Sequence, residues 1–133
     1  MKVRLRLALT FGLAFLGTQA QAHHAFSAEF DSQKPVVLNG KITKVEWQNP
    51  HARVYLAVKG STGTVASWEL QLASPNVLMR QGWSRDSLKP GDVLTVNGYL
   101  ARDASRLASV RTIRFADGHI SDFGSNGDGG PAK

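Results

Sequence analysis

VVLNGKITKVEW, residues Val36 to Trp47, is the stretch on which the fold turns. Val36, Leu38 and Ile42 share one parity, whereas Val45 and Trp47 take the other. Side chains alternate strictly between the two faces of a regular strand, so this slip requires a bulge or sharp bend between Gly40 and Lys44. A strand bent in its middle can serve both halves of a small sheet that curls on itself.

The segments that follow carry the strand period. ARVYLAVK places Ala52, Val54, Leu56 and Val58 on one face, and after a tight GSTG connection VASWELQL does the same with Ala66, Trp68, Leu70 and Leu72. SPNVLMRQGW then switches to a helical reading. Ser74 suits the N-cap, Pro75 the first helical position and Gly82 a left-handed stop, with Leu78 and Trp83 placed for the apolar contact of a glycine-terminated helix. Beyond the loop SRDSLKPGD, VLTVNGYL reads as a fourth strand with Leu94, Val96 and Leu100 inward. ARDASR turns the chain, and LASVRTIRF is a fifth strand with a second parity slip between Val110 and Ile113.

Three strands, a short helix and two more strands, with the first strand bent, predict an all-β domain. The expected form is a five-stranded OB-like β-barrel, and the alternative is a small open β-sandwich. Residues 36–120 form this domain. Residues 23–35 read as an N-terminal arm with one short turn at SAEFDS, and the glycine-rich residues 121–133 as a disordered tail.

Residues 1–22 read as a secretory signal peptide. MKVRLR is basic, Leu7 to Leu16 is apolar, and Ala20-Gln21-Ala22 is a small–x–small cleavage signal. The apolar run is about half the ~20 residues that a spanning helix needs, so no membrane anchor is expected after cleavage. With no cysteine in the chain, disulfides, thiolate metal sites and acylation at a cysteine are all excluded. Lys2, Arg4 and Arg6 leave with the leader, so 13 basic residues face 10 acidic ones, a net of +3 instead of +6. A periplasmic or secreted protein of so mild a charge is not expected to bind nucleic acid.

The segments HHAFSAEFD, KPVVLNGKITKVEWQNPH, SPNVLMRQGW and SRDSLKPGDVLTVNGY, in this order, resemble the DUF6152 family of small exported bacterial proteins. The resemblance covers nearly the whole mature chain and implies export and a small β-rich domain. It implies no reaction and no ligand, so function rests on the residues themselves.

Cleavage after Ala22 makes His23 the N-terminal residue. Its free amine and imidazole Nδ1 can then chelate one metal, and a further imidazole completes a site of three nitrogens suited to copper. His24 offers a neighbouring imidazole but is poorly placed for the same chelate. His51, presented at a strand end by the Asn49-Pro50 turn, is the better distant ligand. His119, in ADGHI, has no evident neighbouring donor. Set against this, the histidine pair also reads as a solvated terminus, and His51 as packing beneath its turn.

A second set is aromatic and basic: Trp47, Tyr55, Trp68, Trp83 and Tyr99, with Arg53, Arg102, Arg106, Arg111 and Arg114 outward. OB barrels bind oligomeric ligands on such surfaces. The plainer expectation puts Trp68 and Trp83 in the core and leaves the arginines solvated. Trp47, Asn49 and Tyr55 are then the candidate ligand or partner surface, Asn49 also serving to hold its turn by an Asx hydrogen bond. No nucleophile elbow, phosphate loop or helix with two spaced histidines is present, and the expected function is binding without catalysis. The bound partner is then copper, another ligand or a periplasmic protein.

Overall fold

Strand β1 (Phe30–Glu46) is continuous over 17 residues and bends where the parity slips. Its register against β2 (Arg53–Lys59) runs Ile42↔Leu56 and then Lys44↔Tyr55, so Thr43 is the extra residue. The Thr43 hydroxyl donates to the Tyr55 carbonyl at 3.2 Å. The first half of β1 pairs with β4 (Val93–Ala101) from Pro35↔Tyr99 to Lys41↔Val93, while the second half pairs with β2 from Gly40↔Val58 to Glu46↔Arg53. Gly40 belongs to both ladders. A Cβ there would stand 2.3 Å from the Ala57 carbonyl oxygen, so only glycine lets the strands cross this closely.

The structure, a computed structural model, describes residues 25–124. Helical residues 25–29 (α1) precede β1. β3 (Val65–Gln71), α2 (Pro75–Arg80), β5 (Leu107–Arg114) and β6 (Ile120–Asp122) complete the set. The six strands form one sheet in the order β3-β2-β1-β4-β5-β6, antiparallel throughout that order. A short parallel ladder, Glu69↔Leu107 to Gln71↔Ser109, also joins β3 to β5.

The inward set is apolar and continuous. Leu38, Ile42, Val54, Leu56, Leu70, Leu94, Val96, Val110 and Ile113 are buried from the strands, with Leu78 from α2 closing over them. The second slip is a register shift across Arg111, because Asn97↔Thr112 is followed by Gly98↔Val110. This returns Val110 and Ile113 to the same interior.

Helix α2 forms as its punctuation dictates. Ser74 Oγ accepts the Val77 amide at 3.3 Å, and Pro75 fills the first position. At the other end the Trp83 amide donates to Leu78 O and the Gly82 amide to Met79 O, both at 3.0 Å, with Gly82 at φ +91°. This is a Schellman motif, and it needs a left-handed residue at Gly82. Gly82→Val is expected to cost more than about 1 kcal/mol through backbone strain alone, since nothing lies within 4 Å of the added Cβ. A urea midpoint that does not move would show that α2 ends some other way.

Three expectations are corrected. β1 begins at Phe30, inside the segment read as an arm, because Phe30 pairs with Ala101 and is buried against it. The sheet has six strands and not five. The sixth lies at the start of the segment read as a tail, and Phe123 just beyond it is fully buried. Its amide donates to Arg111 O at 3.0 Å and its carbonyl accepts the Ala73 amide at 2.8 Å, so it bridges β5 to the chain leaving β3. Finally, Leu100, expected inward, is only half-buried and lies outside the core cluster although its β5 partner Ala108 is buried, while Ala101 next to it is buried beside Phe30.

Candidate functional site

Of the predicted surface residues, the connection between β1 and β2 carries Trp47 and Asn49 at one end of the sheet, whereas Tyr55 lies within β2 opposite Lys44. Trp47 packs against the core cluster, Gln48, Asn49 and Pro50 are exposed, and the Asn49–Pro50 peptide is cis. Asn49 makes no side-chain hydrogen bond among the described residues, which removes the expected Asx bond. The loop is tied instead through His51, whose Nδ1 lies 3.1 Å from the Leu72 carbonyl oxygen.

That contact has a local cause and a chemical result. The ladder between β2 and β3 runs out as Ala52 N–H donates to Ala73 O at 3.1 Å and Leu72 N–H to Ala52 O at 2.9 Å. Leu72 O is left for a side chain to satisfy. A carbonyl only accepts, so the bonded His51 nitrogen must carry the proton, and in the neutral ring Nε2 then keeps its lone pair. Metal-bound histidines are oriented in this way.

Tyr55 lies on the outer face beside a chain of charges. Lys44 pairs with Glu46, and its ammonium sits 5.3 Å from the centre of the Tyr55 ring. The Tyr55 hydroxyl donates to Glu46 Oε2 at 3.4 Å, and Arg53 Nη1 meets Glu69 Oε1 at 2.9 Å. The registers Lys44↔Tyr55↔Glu69 and Glu46↔Arg53↔Gln71 place these groups in two adjacent rows. The hydrogen bond from Lys44 holds the Glu46 carboxyl below its usual range, and the same bond raises the Lys44 ammonium. The Lys44 ammonium is exposed and the Glu46 carboxylate half-buried at the surface, so the pair orders the surface without adding much stability. The face is balanced in sign.

The aromatic and basic set does not assemble into one surface. Trp68 and Trp83 pack against the core, and Arg53 is taken by Glu69. Arg102 donates from Nε to Ser27 O at 2.6 Å and lies 3.8 Å from Asp31, while Tyr99 meets Phe26 edge-on. His23 and His24 lie outside the described residues. Among the described residues, no group of three or more histidine or carboxylate side chains is arranged to hold a metal. No described helix is long and apolar enough to cross a membrane.

The sequence reading missed the surroundings of His119. Its Nδ1 bonds to Asp117 Oδ1, its amide donates to the same oxygen at 3.0 Å, and its ring stacks on Phe115 at 4.3 Å. These bonds hold the Asp117 carboxyl below its usual range. Trp83 and Phe123 extend the aromatic stack, their rings 4.4 Å apart. The Asp-Gly turn two residues before His119 carried the signal, because an aspartate there bonds the backbone two residues on. A pocket of about 280 Å³ beside Phe115 is lined by Asp92, Asp117 and His119.

The geometry defines a small, mostly β domain with one half-buried histidine of fixed tautomer at a loop end and a sign-balanced outer face. The chain belongs to the DUF6152 family, a family of unknown function, whose model matches residues 11–110. No curated protein matches it.

Proposed function

We propose that the protein is exported, loses residues 1–22, and acts in the periplasm as a non-enzymatic binding module on an OB-like barrel. The barrel is supported by the pairing circuit β1-β2-β3-β5-β4-β1, which the parallel β3–β5 ladder completes. Its ligand is copper or a similar transition metal, held by the amine and imidazole of His23 with His51, or less favourably His24, as a further donor. The observation that carries the metal reading is the His51 bond to Leu72 O, which orients the ring and leaves Nε2 as donor. The exposed Asn49–Pro50 tip, with Trp47 preceding it and Tyr55 on the outer face of β2, is the surface of a ligand or protein partner if no metal binds.

Native mass spectrometry of the protein recovered from the periplasm tests both halves of this reading. The expected mass is that of residues 23–133, rising by one copper when Cu(II) is added. A chain starting at Met1 would overturn export. A chain starting at His23 that takes up no copper would leave the metal-free interaction module.

A further inference from the structure

We propose that the outer face of β1, β4 and β5, together with the pocket at its Val93 end, binds an uncharged oligosaccharide. This surface is separate from His51 and does not rest on copper binding.

The two outer faces of the sheet differ in chemistry. The second half of β1, with β2 and β3, carries the ion pairs Lys44–Glu46 and Arg53–Glu69. Around β4 the registers Asn39↔Thr95 and Val37↔Asn97↔Thr112 instead set amides, hydroxyls and valine side by side. Val37 is 65% exposed and Val93 46%. Asn39 Nδ2 donates to Thr95 Oγ1 at 2.9 Å, and Asn97 Nδ2 to Thr112 Oγ1 at 3.2 Å. These cross-strand bonds fix each amide without exhausting it. The asparagine keeps its carbonyl oxygen and a second N–H, and the threonine that accepts still has its own proton to give. Tyr99, paired with Pro35, ends the strip with an aromatic ring.

At Val93 the strip opens into the pocket of about 280 Å³. Asp92 and Asp117 line it, and each is held through one oxygen. Asp92 Oδ2 accepts the Lys89 amide at 3.0 Å, while Asp117 Oδ1 accepts from the amide and the ring of His119. The other oxygen of each carboxylate is left to accept hydroxyl protons. The stacked rings of His119 and Phe115 supply a flat wall for the C–H face of a sugar. A few fixed polar groups against an aromatic wall are the usual make-up of a small-ligand site.

Charge and size select the ligand. Lys41 and Arg114 flank the strip at the same end, in the pairs Lys41↔Val93 and Thr95↔Arg114, and the two carboxylates of the pocket offset them. A polyanion or a polycation would meet as many like charges as opposite ones there, so a ligand without net charge is favoured. Between Val93 and Tyr99 the strip is about 20 Å long, and its three strands are about 10 Å wide. That footprint, about 200 Å², is a quarter of the ~800 Å² that each partner gives to a standard protein interface. It fits a narrow chain of sugar rings and not a folded protein.

The test is an amide NMR titration of the full chain with maltotetraose, cellotetraose and chitotetraose, with spermidine as the charged control. At least one of the sugars is expected to bind with a Kd of about 1 mM or tighter. Its shifts should map to residues 93–99, to Thr112 and to the turn holding Asp117 and His119. Asn39→Ala combined with Asn97→Ala should weaken that sugar at least about tenfold, as should Asp117→Ala alone. Undiminished binding in both variants would overturn the proposal. So would the unaltered chain, if no sugar moved these amides at about 10 mM or if spermidine bound the strip more tightly than the sugars.

Discussion

Gly98→Ala is expected to destabilise the domain by about 3 kcal/mol or more. A Cβ at Gly98 would stand 2.1 Å from the Ser109 carbonyl oxygen and 3.0 Å from its carbon. Both atoms belong to the β5 backbone, beside the Gly98↔Val110 pair and the shift across Arg111. A flexible side chain could step aside, but a laddered carbonyl cannot without breaking the pairing that seats Val110 and Ile113. Gly118→Ala is the control. That residue has φ +92° with nothing within 4 Å, so only the strain of about 1 kcal/mol is expected. Urea midpoints of the two variants measure the difference. Equal small shifts would mean that β4 and β5 do not approach so closely at Gly98.

Phe123→Ala should cost about 3–5 kcal/mol, the range for emptying a buried phenylalanine site. The ring is fully buried, 4.4 Å from Trp83 and 6.1 Å from Phe115. Its loss leaves a void beside Trp83 and Phe115 and slackens the backbone bridge to Ala73 and Arg111. Thermal melting should show the loss, and near-ultraviolet circular dichroism should change as Trp83 loses its neighbour. A shift smaller than about 1 kcal/mol would place the ring outside the core and restore the reading of residues 121–133 as a mere tail.

The parts of this fold that the sequence announced are those set by local rules. The Thr43 bulge follows from Val36, Leu38 and Ile42 against Val45 and Trp47, and the Arg111 shift from Val110 against Ile113. Ser74, Pro75 and Gly82 mark α2 because each satisfies a backbone demand at its own position. The parts that stayed hidden depend on distant partners. DSQK after Phe30 has no strand period, and becomes β1 because Ala101, Tyr99 and Arg102 hold it. HISDF is too short and too close to the glycines to announce a strand, and is one only because β5 offers Thr112 to Arg114 as partners.

The candidate site divides in the same way. The Asn-Pro turn marked where His51 would be presented, whereas the carbonyl that fixes its tautomer comes from Leu72, twenty-one residues on. The partner of His119 is legible two residues away, in the aspartate of the Asp-Gly turn.

Calorimetric titration of Cu(II) into two N-terminal forms tests the functional account most directly. One form begins at His23 and the other carries a single extra residue before it. The extra residue turns the His23 amine into an amide and removes that arm of the chelate, while every imidazole stays. The account predicts one tightly bound copper in the first form, at least about tenfold weaker binding in the second, and weakening in His51→Ala of the first form. It also predicts loss of affinity as pH falls through about 6.5, since an imidazole must shed its proton to bind. Equal affinities in the two N-terminal forms would contradict it.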